Sequence, residues 1–166
     1  VTTVLKLSKL DAGMVELERA WISGKALVED VVRRLEIAAE WRGISFSLDF
    51  PEQVSLFVDR KWTEEALLNI VKNAIEHSTD GGIVEISGEE NEVYVQIAVR
   101  DHGEGMTREE QRKLFQRFYQ GNSAREDSMG IGLALAKEIV EKQDGYISVD
   151  SREGRGTRFL LRFLKH

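Results

Sequence analysis

The 166-residue sequence contains no cysteine, and this excludes disulfide bonds, thiolate metal sites and cysteine nucleophiles. Acidic residues outnumber basic ones by 29 to 23, so a broad basic face for nucleic acid is not expected. No apolar run approaches the roughly 18 residues that a membrane span needs, and the N-terminus lacks a signal-peptide pattern. We therefore expect a globular domain that contacts neither nucleic acid nor membrane directly.

The chain has one proline but 14 glycines, most of them between Gly81 and Gly156, which predicts tight turns or ligand-contacting loops in the second half. Hydrophobic spacing predicts helices over 1–13, 25–42, 61–77, 108–118 and 130–142. It predicts strands over 15–22, 44–50, 54–58, 83–88, 93–100, 146–150 and 157–164, and a polar loop over 121–129. This order indicates an α/β fold, a two-layer sandwich whose mixed, mostly antiparallel sheet is covered by helices on one face.

Three polar side chains recur at intervals of four residues in the helix predicted over 61–77. Asn69, Asn73 and His77 therefore project from nearly one face. A carboxamide oxygen is a hard, neutral ligand that suits a Mg²⁺ ion retaining waters and phosphate oxygens. Two solvated asparagines and a surface histidine fit the same pattern, so both interpretations stay open at this point.

A carboxylate stands where the strand predicted over 93–100 ends. Asp101 is followed by Gly103 and Gly105, which allow the backbone to turn sharply and approach a flat ligand. A carboxylate in such a place accepts a hydrogen bond from an exocyclic amine and so distinguishes adenine from guanine. A tight turn capped by an aspartate is the competing interpretation. The segment does not match the dinucleotide-binding fingerprint.

Two further glycine pairs introduce regular elements. Gly130 and Gly132 open a helix after a polar loop, and the free N–H groups of a helix N-terminus bind phosphate. An ordinary glycine-rich helix start fits equally well. Gly154 and Gly156 lead into the last strand, where the Thr157 hydroxyl is available to a ligand edge or a water.

In this succession the segments resemble the catalytic ATP-binding domain of sensor histidine kinases. That domain belongs to the superfamily of gyrase, heat-shock chaperone, histidine kinase and mismatch-repair ATPases. The resemblance covers about residues 45–164. It rests on an N box (NIVKNAIEHS), two glycine boxes (DHGEGM and MGIGLALAKEIV), an F box (KLFQRFYQ) and the final GRGTRF strand. It implies the Bergerat ATP-binding fold for residues 15–166. Residues 1–14, with LKLSKLDAG, resemble the C-terminal end of the dimerisation and histidine-phosphotransfer helix.

The resemblance implies which residues contact the base. Asp101 would accept the adenine amino group, with Thr157 supporting it, and His77 would lie against the ring. Gly103 and Gly105 would let the base pass over the backbone. Met106 is a further predicted nucleotide contact.

The resemblance also implies contacts at the phosphates. Asn73 would coordinate Mg²⁺, and Asn69 would assist at the phosphates and is a second candidate metal ligand. Lys72 would approach the phosphates from the same helix. The remaining predicted phosphate-end contacts belong to the second glycine box: Gly130, Ile131, Gly132 and Leu133. Glu76 departs from the family pattern, because many relatives carry Lys or Arg there.

A lid would cover the nucleotide over residues 119–129, anchored by Phe115 and Phe118. Arg117 or Gln120 would reach the γ-phosphate, and Arg117 joins Asn69 and Asn73 in the predicted catalytic set. Ser128 replaces the first glycine that relatives often carry in the second glycine box.

The function implied is transfer of the ATP γ-phosphoryl group to a histidine upstream of this chain, for relay to a response-regulator aspartate. None of His77, His102 and His166 has a phosphoacceptor context, and the chain starts at Val1 rather than Met, so we expect part of a longer protein. Asn69 cannot remove a proton, which favours a kinase over a fast hydrolase.

The expected partners are ATP, Mg²⁺, the protein's own dimerisation and phosphotransfer helices and a response regulator. The fragment would be monomeric, and its parent a homodimeric bacterial inner-membrane sensor with this domain in the cytoplasm. An anti-sigma-factor serine kinase, a gyrase-type ATPase and an interaction module with a degenerate site are the alternatives.

Overall fold

The computed structural model describes residues 3–116 and 131–165. Along these ranges the elements follow the order α1 (Thr3–Asp11), β1 (Ala20–Ser23), α2 (Gly24–Trp41), β2 (Ser45–Asp49), β3 (Ser55–Val58), α3 (Arg60–His77), β4 (Ile83–Glu90), β5 (Tyr94–Asp101), α4 (Arg108–Lys113), α5 (Gly132–Glu141), β6 (Gly145–Ser151) and β7 (Thr157–Leu164). No helix among these is long and apolar enough to cross a membrane.

Five strands form the main sheet in the order β2-β4-β5-β7-β6. β2 pairs with β4 in parallel, whereas the other neighbours are antiparallel. The predicted hairpins β4–β5 and β6–β7 are confirmed. The mixed, mostly antiparallel sheet and the two-layer α/β architecture are confirmed as well.

Side chains alternate between the two faces of the sheet along each strand, and the paired strands place apolar residues on the same face. Val99 of β5 lies opposite Phe159 of β7 and Ile86 of β4, and all three are fully or almost fully buried. Helices α2, α3 and α5 contact this side of the domain's core. The neighbouring positions, such as Arg100 and Arg158, point to the opposite face. We call these two sides the helix face and the open face.

A buried glutamine joins two helices beside the sheet. Gln143 accepts a hydrogen bond from the Asp59 backbone N–H (2.6 Å) and donates to the Thr63 hydroxyl (3.0 Å) and the Ile139 carbonyl (3.2 Å). Asp59 in turn caps α3 by accepting from the Trp62 N–H at 3.0 Å. These bonds fix the start of α3 against the end of α5, and α3 carries the predicted functional face.

The N-terminal helix packs on the domain. Leu7 and Leu10 of α1 are buried against a neighbourhood that includes α5, and Lys6 forms an ion pair with Glu65 of α3. The assignment of residues 1–14 to a separate phosphotransfer element remains a prediction.

Two elements are shorter than the hydrophobic pattern indicates. The strand predicted over 15–22 is confined to Ala20–Ser23 and pairs with β3 in a separate two-stranded sheet. The helix predicted over 108–118 ends at Lys113, and its last two predicted residues lie outside the described ranges.

Candidate functional site

The C-terminal half of α3, the end of β5 and the starts of α5 and β7 meet at one edge of the helix face. Asp101 ends β5 directly opposite Thr157, the first residue of β7. A Cβ added to Gly103 would overlap the His77 carbonyl oxygen, so the loop after β5 touches the end of α3. A Cβ added to Gly132 would lie 2.9 Å from the Asn69 side-chain oxygen, so α5 begins beside the middle of α3.

Asp101 is the buried charged group of this region, with 1% of its surface exposed. Its Oδ1 accepts a hydrogen bond from the Gly103 N–H at 2.9 Å. Its Oδ2 is buried and has no hydrogen-bond partner among the described residues. Burial raises the pKa of Asp101, and this outweighs the opposing effects of the Gly103 N–H, His77 and the Thr157 backbone. A buried acceptor without a partner is costly to the fold and marks a place where a ligand donor fits.

Thr157 belongs to a hydrogen-bonded group that shapes the loop after β5. Its hydroxyl lies 2.8 Å from Ser151 Oγ, which also accepts from the Met106 N–H at 2.9 Å. The Gln111 side chain donates to the carbonyls of Met106 (3.1 Å) and Ser151 (3.0 Å). These contacts hold Met106, which is half-buried against the core, beside the end of β6.

Sequence reasoning missed Ser151 and Gln111. Neither stands in one of the family's boxes, and a serine at a strand end or a glutamine in a short helix looks like an ordinary surface residue. Thr107 and Glu110 form a capping box at the start of α4, which is a sequence signal for the helix that carries Gln111.

The two glycines after Asp101 are required by the protein's own backbone. A Cβ on Gly103 would overlap the His77 carbonyl, and one on Gly105 would overlap the Arg152 carbonyl oxygen. Gly105 also has a φ of +74°, a conformation that side-chain-bearing residues rarely adopt. The predicted passage of a base over these glycines is a separate hypothesis.

The predicted polar face of α3 is present. Asn69, Asn73 and His77 are all half-buried on this helix. The Asn69 Nδ2 donates to the Glu65 carbonyl at 3.1 Å, which leaves the Asn69 Oδ1 directed toward Gly132. Lys72 is exposed and makes no ion pair within the described part of the chain.

Among the described residues, no side chain caps the start of helix α5. Its N-cap, Ile131, is 2% exposed and apolar, so it cannot accept from the first N–H groups of the helix. Leu133 packs partly against the core. The helix start beside Asn69 therefore offers backbone donors that no described side chain caps, at the same edge as Asp101.

Some predicted residues lie outside the described ranges: Arg117, Phe118, Gln120, Ser128, Gly130 and the lid over 119–129. Phe115 is described, and its ring packs edge-on against Phe159 with centroids 6.3 Å apart. In residues 3–116 and 131–165 no group of three or more His, Asp or Glu side chains is placed to hold a metal ion.

Comparison with known proteins identifies the family. Residues 58–166 match the family of histidine kinase-, DNA gyrase B- and HSP90-like ATPases. HssS of Staphylococcus saprophyticus, named a heme sensor protein, is 33% identical over 162 residues, which are 98% of this chain and 35% of that protein. WalK of Bacillus subtilis, named a sensor histidine kinase, is 34% identical over 163 residues, which are 95% of this chain and 26% of that protein. The chain thus spans about a quarter to a third of these relatives' length.

A solved structure shares the fold. The nucleotide-free catalytic domain of the histidine kinase ThkA superposes with a TM-score of 0.80 and 25% identity, and the match covers 89% of this chain and 96% of that one. This chain therefore belongs to the family of histidine kinase-, DNA gyrase B- and HSP90-like ATPases, where it is a histidine kinase catalytic, ATP-binding domain.

Proposed function

We propose that this chain binds ATP with Mg²⁺ at the edge formed by α3, β5 and α5, and that it acts on a histidine of the longer protein to which it belongs. The observation that carries the proposal is the Asp101 carboxylate, whose Oδ2 is buried beside His77 and Gly103 and has no partner in residues 3–116 and 131–165. An adenine amino group directed at Oδ2 would supply the missing donor.

The base would lie between the loop after β5 and the end of α3. Burial raises the pKa of Asp101, but the Gly103 N–H already occupies Oδ1, so the carboxylate presents Oδ2 as an acceptor. Guanine places a carbonyl oxygen at the corresponding position, and two acceptors would then face each other. This arrangement favours ATP over GTP. His77 and Met106 would flank the ring, and Thr157 would steady Asp101.

The phosphates would extend from the base toward the start of α5. The N–H groups after Ile131, which no described side chain caps, are donors for phosphate oxygens, and Lys72 is an exposed positive charge on the neighbouring helix. Gly130, Gly132 and Leu133 would contribute to the same end. Arg117 or Gln120 would reach the γ-phosphate when the lid over 119–129 closes.

The side chains at this end fit a magnesium ion. The oxygens of Asn73 and Asn69 are hard neutral ligands on one face of α3, and few protein ligands are needed because Mg²⁺ retains waters and phosphate oxygens. When bound, the ion would neutralise charge on the phosphates. Asn69 orients its oxygen by donating its amide to the Glu65 carbonyl.

Phosphotransfer would break the bond between the γ-phosphorus and its bridging oxygen, form a bond to an imidazole nitrogen and release ADP. This asks the domain for positioning and charge stabilisation rather than for covalent chemistry. Asn69 has no proton-accepting group for activating water, which favours transfer over hydrolysis. Relay of the phosphoryl group to a response-regulator aspartate would follow on another protein.

The dimerisation and phosphotransfer helices would belong to the longer protein. The burial of Leu7 and Leu10 of α1 supports a contact between this domain and the end of such a helix. We also propose that the longer protein is a homodimeric membrane-anchored sensor.

Calorimetric titration with ATP and GTP, each with and without Mg²⁺, tests the nucleotide assignment. We expect micromolar ATP binding that strengthens with Mg²⁺, and weaker GTP binding. In Asn73→Ala the strengthening by Mg²⁺ should disappear, whereas Asn91→Ala, which alters a turn remote from the site, should retain it. Retention of the full Mg²⁺ effect in Asn73→Ala would contradict the metal assignment.

Phosphotransfer is tested in a chain that includes the preceding helices. Incubation with ATP should produce acid-labile, alkali-stable phosphate on one upstream histidine. Phosphate that survives acid, as on serine, would instead support the anti-sigma-factor type of kinase.

A further inference from the structure

The open face of the sheet carries a cavity of about 310 Å³ at the ends of β5, β6 and β7. Its lining includes four arginines, Arg100, Arg152, Arg155 and Arg158, and a single carboxylate, Asp150. We call it the arginine cavity. Such a concentration of positive charge stands out in a chain whose net charge is −6.

Two of these arginines face each other directly. Arg100 of β5 and Arg158 of β7 are cross-strand partners in the antiparallel ladder. Like charges at directly opposed positions destabilise a sheet, so the pair is unfavourable unless an anion lies between the guanidinium groups. The other cross-strand neighbour of Arg100 is Glu85, but its carboxylate lies 2.5 Å from the His102 ring nitrogen.

The protein neutralises these charges only in part, since Glu85 lies opposite Arg100 and Asp150 lies opposite Arg158. Arg100, Arg152 and Arg155 form no ion pair with any described residue, and Arg158 has only a 3.3 Å contact with Asp150. Both partners of that contact are about half exposed, and such pairs contribute little. The arginine cavity therefore has an excess of positive charge and many unused N–H donors.

Arg162 shows what a structural arginine on this face looks like. It lies on β7 two residues after Leu160 and donates hydrogen bonds to the Gln96 side chain (2.7 Å) and to the Tyr146 hydroxyl (3.3 Å). Its guanidinium group also lies over the Tyr94 ring, 4.8 Å from the ring centroid. Its donors and its charge are accommodated by neighbouring side chains. The four arginines of the cavity lack equivalent partners among the described residues.

The arginine cavity adjoins the nucleotide edge, because Ser151 and Thr157 belong to its lining as well. Asp101 and Thr157 point to the helix face, whereas Arg100 and Arg158, their immediate neighbours in sequence, point to the open face. The guanidinium groups of Arg100 and Arg158 therefore project away from the Asp101 carboxylate. None of the four arginines takes part in the proposed nucleotide contacts.

We propose that the arginine cavity binds a small, multiply charged phosphate-class anion. A planar guanidinium group donates two parallel hydrogen bonds to the oxygens of a phosphate group. The arginines of the cavity come from two strands and a loop, so they provide several such bidentate donors. The volume is at the small end of ligand pockets, which fits a compact anion of the size of pyrophosphate better than a large organic ligand. Inorganic pyrophosphate and the diphosphate of a small phosphate ester share this chemistry.

The test is calorimetric titration of the chain with pyrophosphate, alongside inorganic phosphate and methyl diphosphate. We expect saturable binding of pyrophosphate that weakens as the salt concentration rises. Arg100→Gln and Arg158→Gln should each reduce the affinity by about tenfold, since each removes a charge-assisted contact. Arg33→Gln, which removes the same charge from α2, should leave it unchanged. If methyl diphosphate binds as tightly as pyrophosphate, the site also accepts a phosphate ester. If methyl diphosphate does not bind, the site is restricted to the inorganic anion.

A thermal unfolding series provides an independent readout. Without ligand, Arg100→Gln should unfold at the same or a higher temperature than the parent chain, because the opposed positive pair is removed. Pyrophosphate should stabilise the parent chain and not the Arg100→Gln, Arg158→Gln double variant. The proposal is overturned if no saturable binding occurs. It is also overturned if binding is lost in Asn73→Ala and retained in the double variant, which would assign the anion to the nucleotide edge.

Discussion

Replacing Gly105 by alanine should destabilise the domain far more than the same change at Gly154. The two glycines have nearly the same backbone conformation, with φ of +74° and +79°. The strain of placing a side chain there is therefore shared and amounts to about 1–2 kcal/mol. The surroundings differ, because an added Cβ at Gly154 meets nothing within 4 Å, whereas at Gly105 it would overlap the Arg152 carbonyl oxygen.

The extra cost at Gly105 follows from what the Arg152 carbonyl does. It accepts a hydrogen bond from the Arg155 N–H at 3.0 Å, so moving it aside breaks that bond, at about 1 kcal/mol. Forcing a methyl group into a closed contact adds about 1–3 kcal/mol. We expect Gly105→Ala to lower the free energy of unfolding by about 3–6 kcal/mol, against about 1–2 kcal/mol for Gly154→Ala.

Urea unfolding followed by circular dichroism measures the difference. With a typical dependence of stability on urea for a chain of this size, the midpoint of Gly105→Ala should lie about 1 M or more below that of Gly154→Ala. Midpoints that agree within experimental error would refute the close approach between the loop after β5 and the β6–β7 turn.

Two further predictions concern buried polar groups. Gln143→Leu should lower the free energy of unfolding by about 2–4 kcal/mol, since it leaves the buried Asp59 N–H without an acceptor. Gln53→Leu on the surface should change it by less than about 0.5 kcal/mol. Urea unfolding compares the two variants, and similar losses of stability would contradict the role of the Gln143 hydrogen bonds. Because burial raises the folded-state pKa of Asp101, its contribution to stability is greatest at low pH and is lost as the pH rises through that pKa. The parent chain should therefore lose stability relative to Asp101→Asn over the interval that starts near the ordinary value of 3.8 and ends above it. A constant difference between the two chains across that interval would show that the pKa is not raised.

The repeating patterns of the sequence predicted the regular elements well. In α3 the apolar spacing predicts the helix that the structure shows, and in β5 alternation places Val95, Ile97 and Val99 on one face. The position of Asp101 at the end of β5 followed from that alternation. Local patterns of this kind need no knowledge of the rest of the chain.

Long-range partners were not predictable in the same way. The alternation in β2 identifies a strand but does not say that it pairs in parallel with β4, and the four-residue β1 is too short to show a period. Gln143 and Ser151 have polar side chains that sequence patterns assign to the surface, and only the tertiary structure shows that they join separate elements. The like-charged pair of Arg100 and Arg158 becomes visible only when the strand register is known.

Asp101→Asn tests the central claim, that the unpartnered Asp101 oxygen recognises the adenine amino group. The asparagine oxygen would keep the bond from the Gly103 N–H, and its amide would then present a donor where Oδ2 stood. Calorimetry should show ATP affinity reduced by about 10- to 100-fold, as expected for loss of a hydrogen bond to a charged group, with GTP affinity unchanged or increased. An ATP affinity equal to that of the parent chain, with the preference for ATP over GTP retained, would contradict the claim.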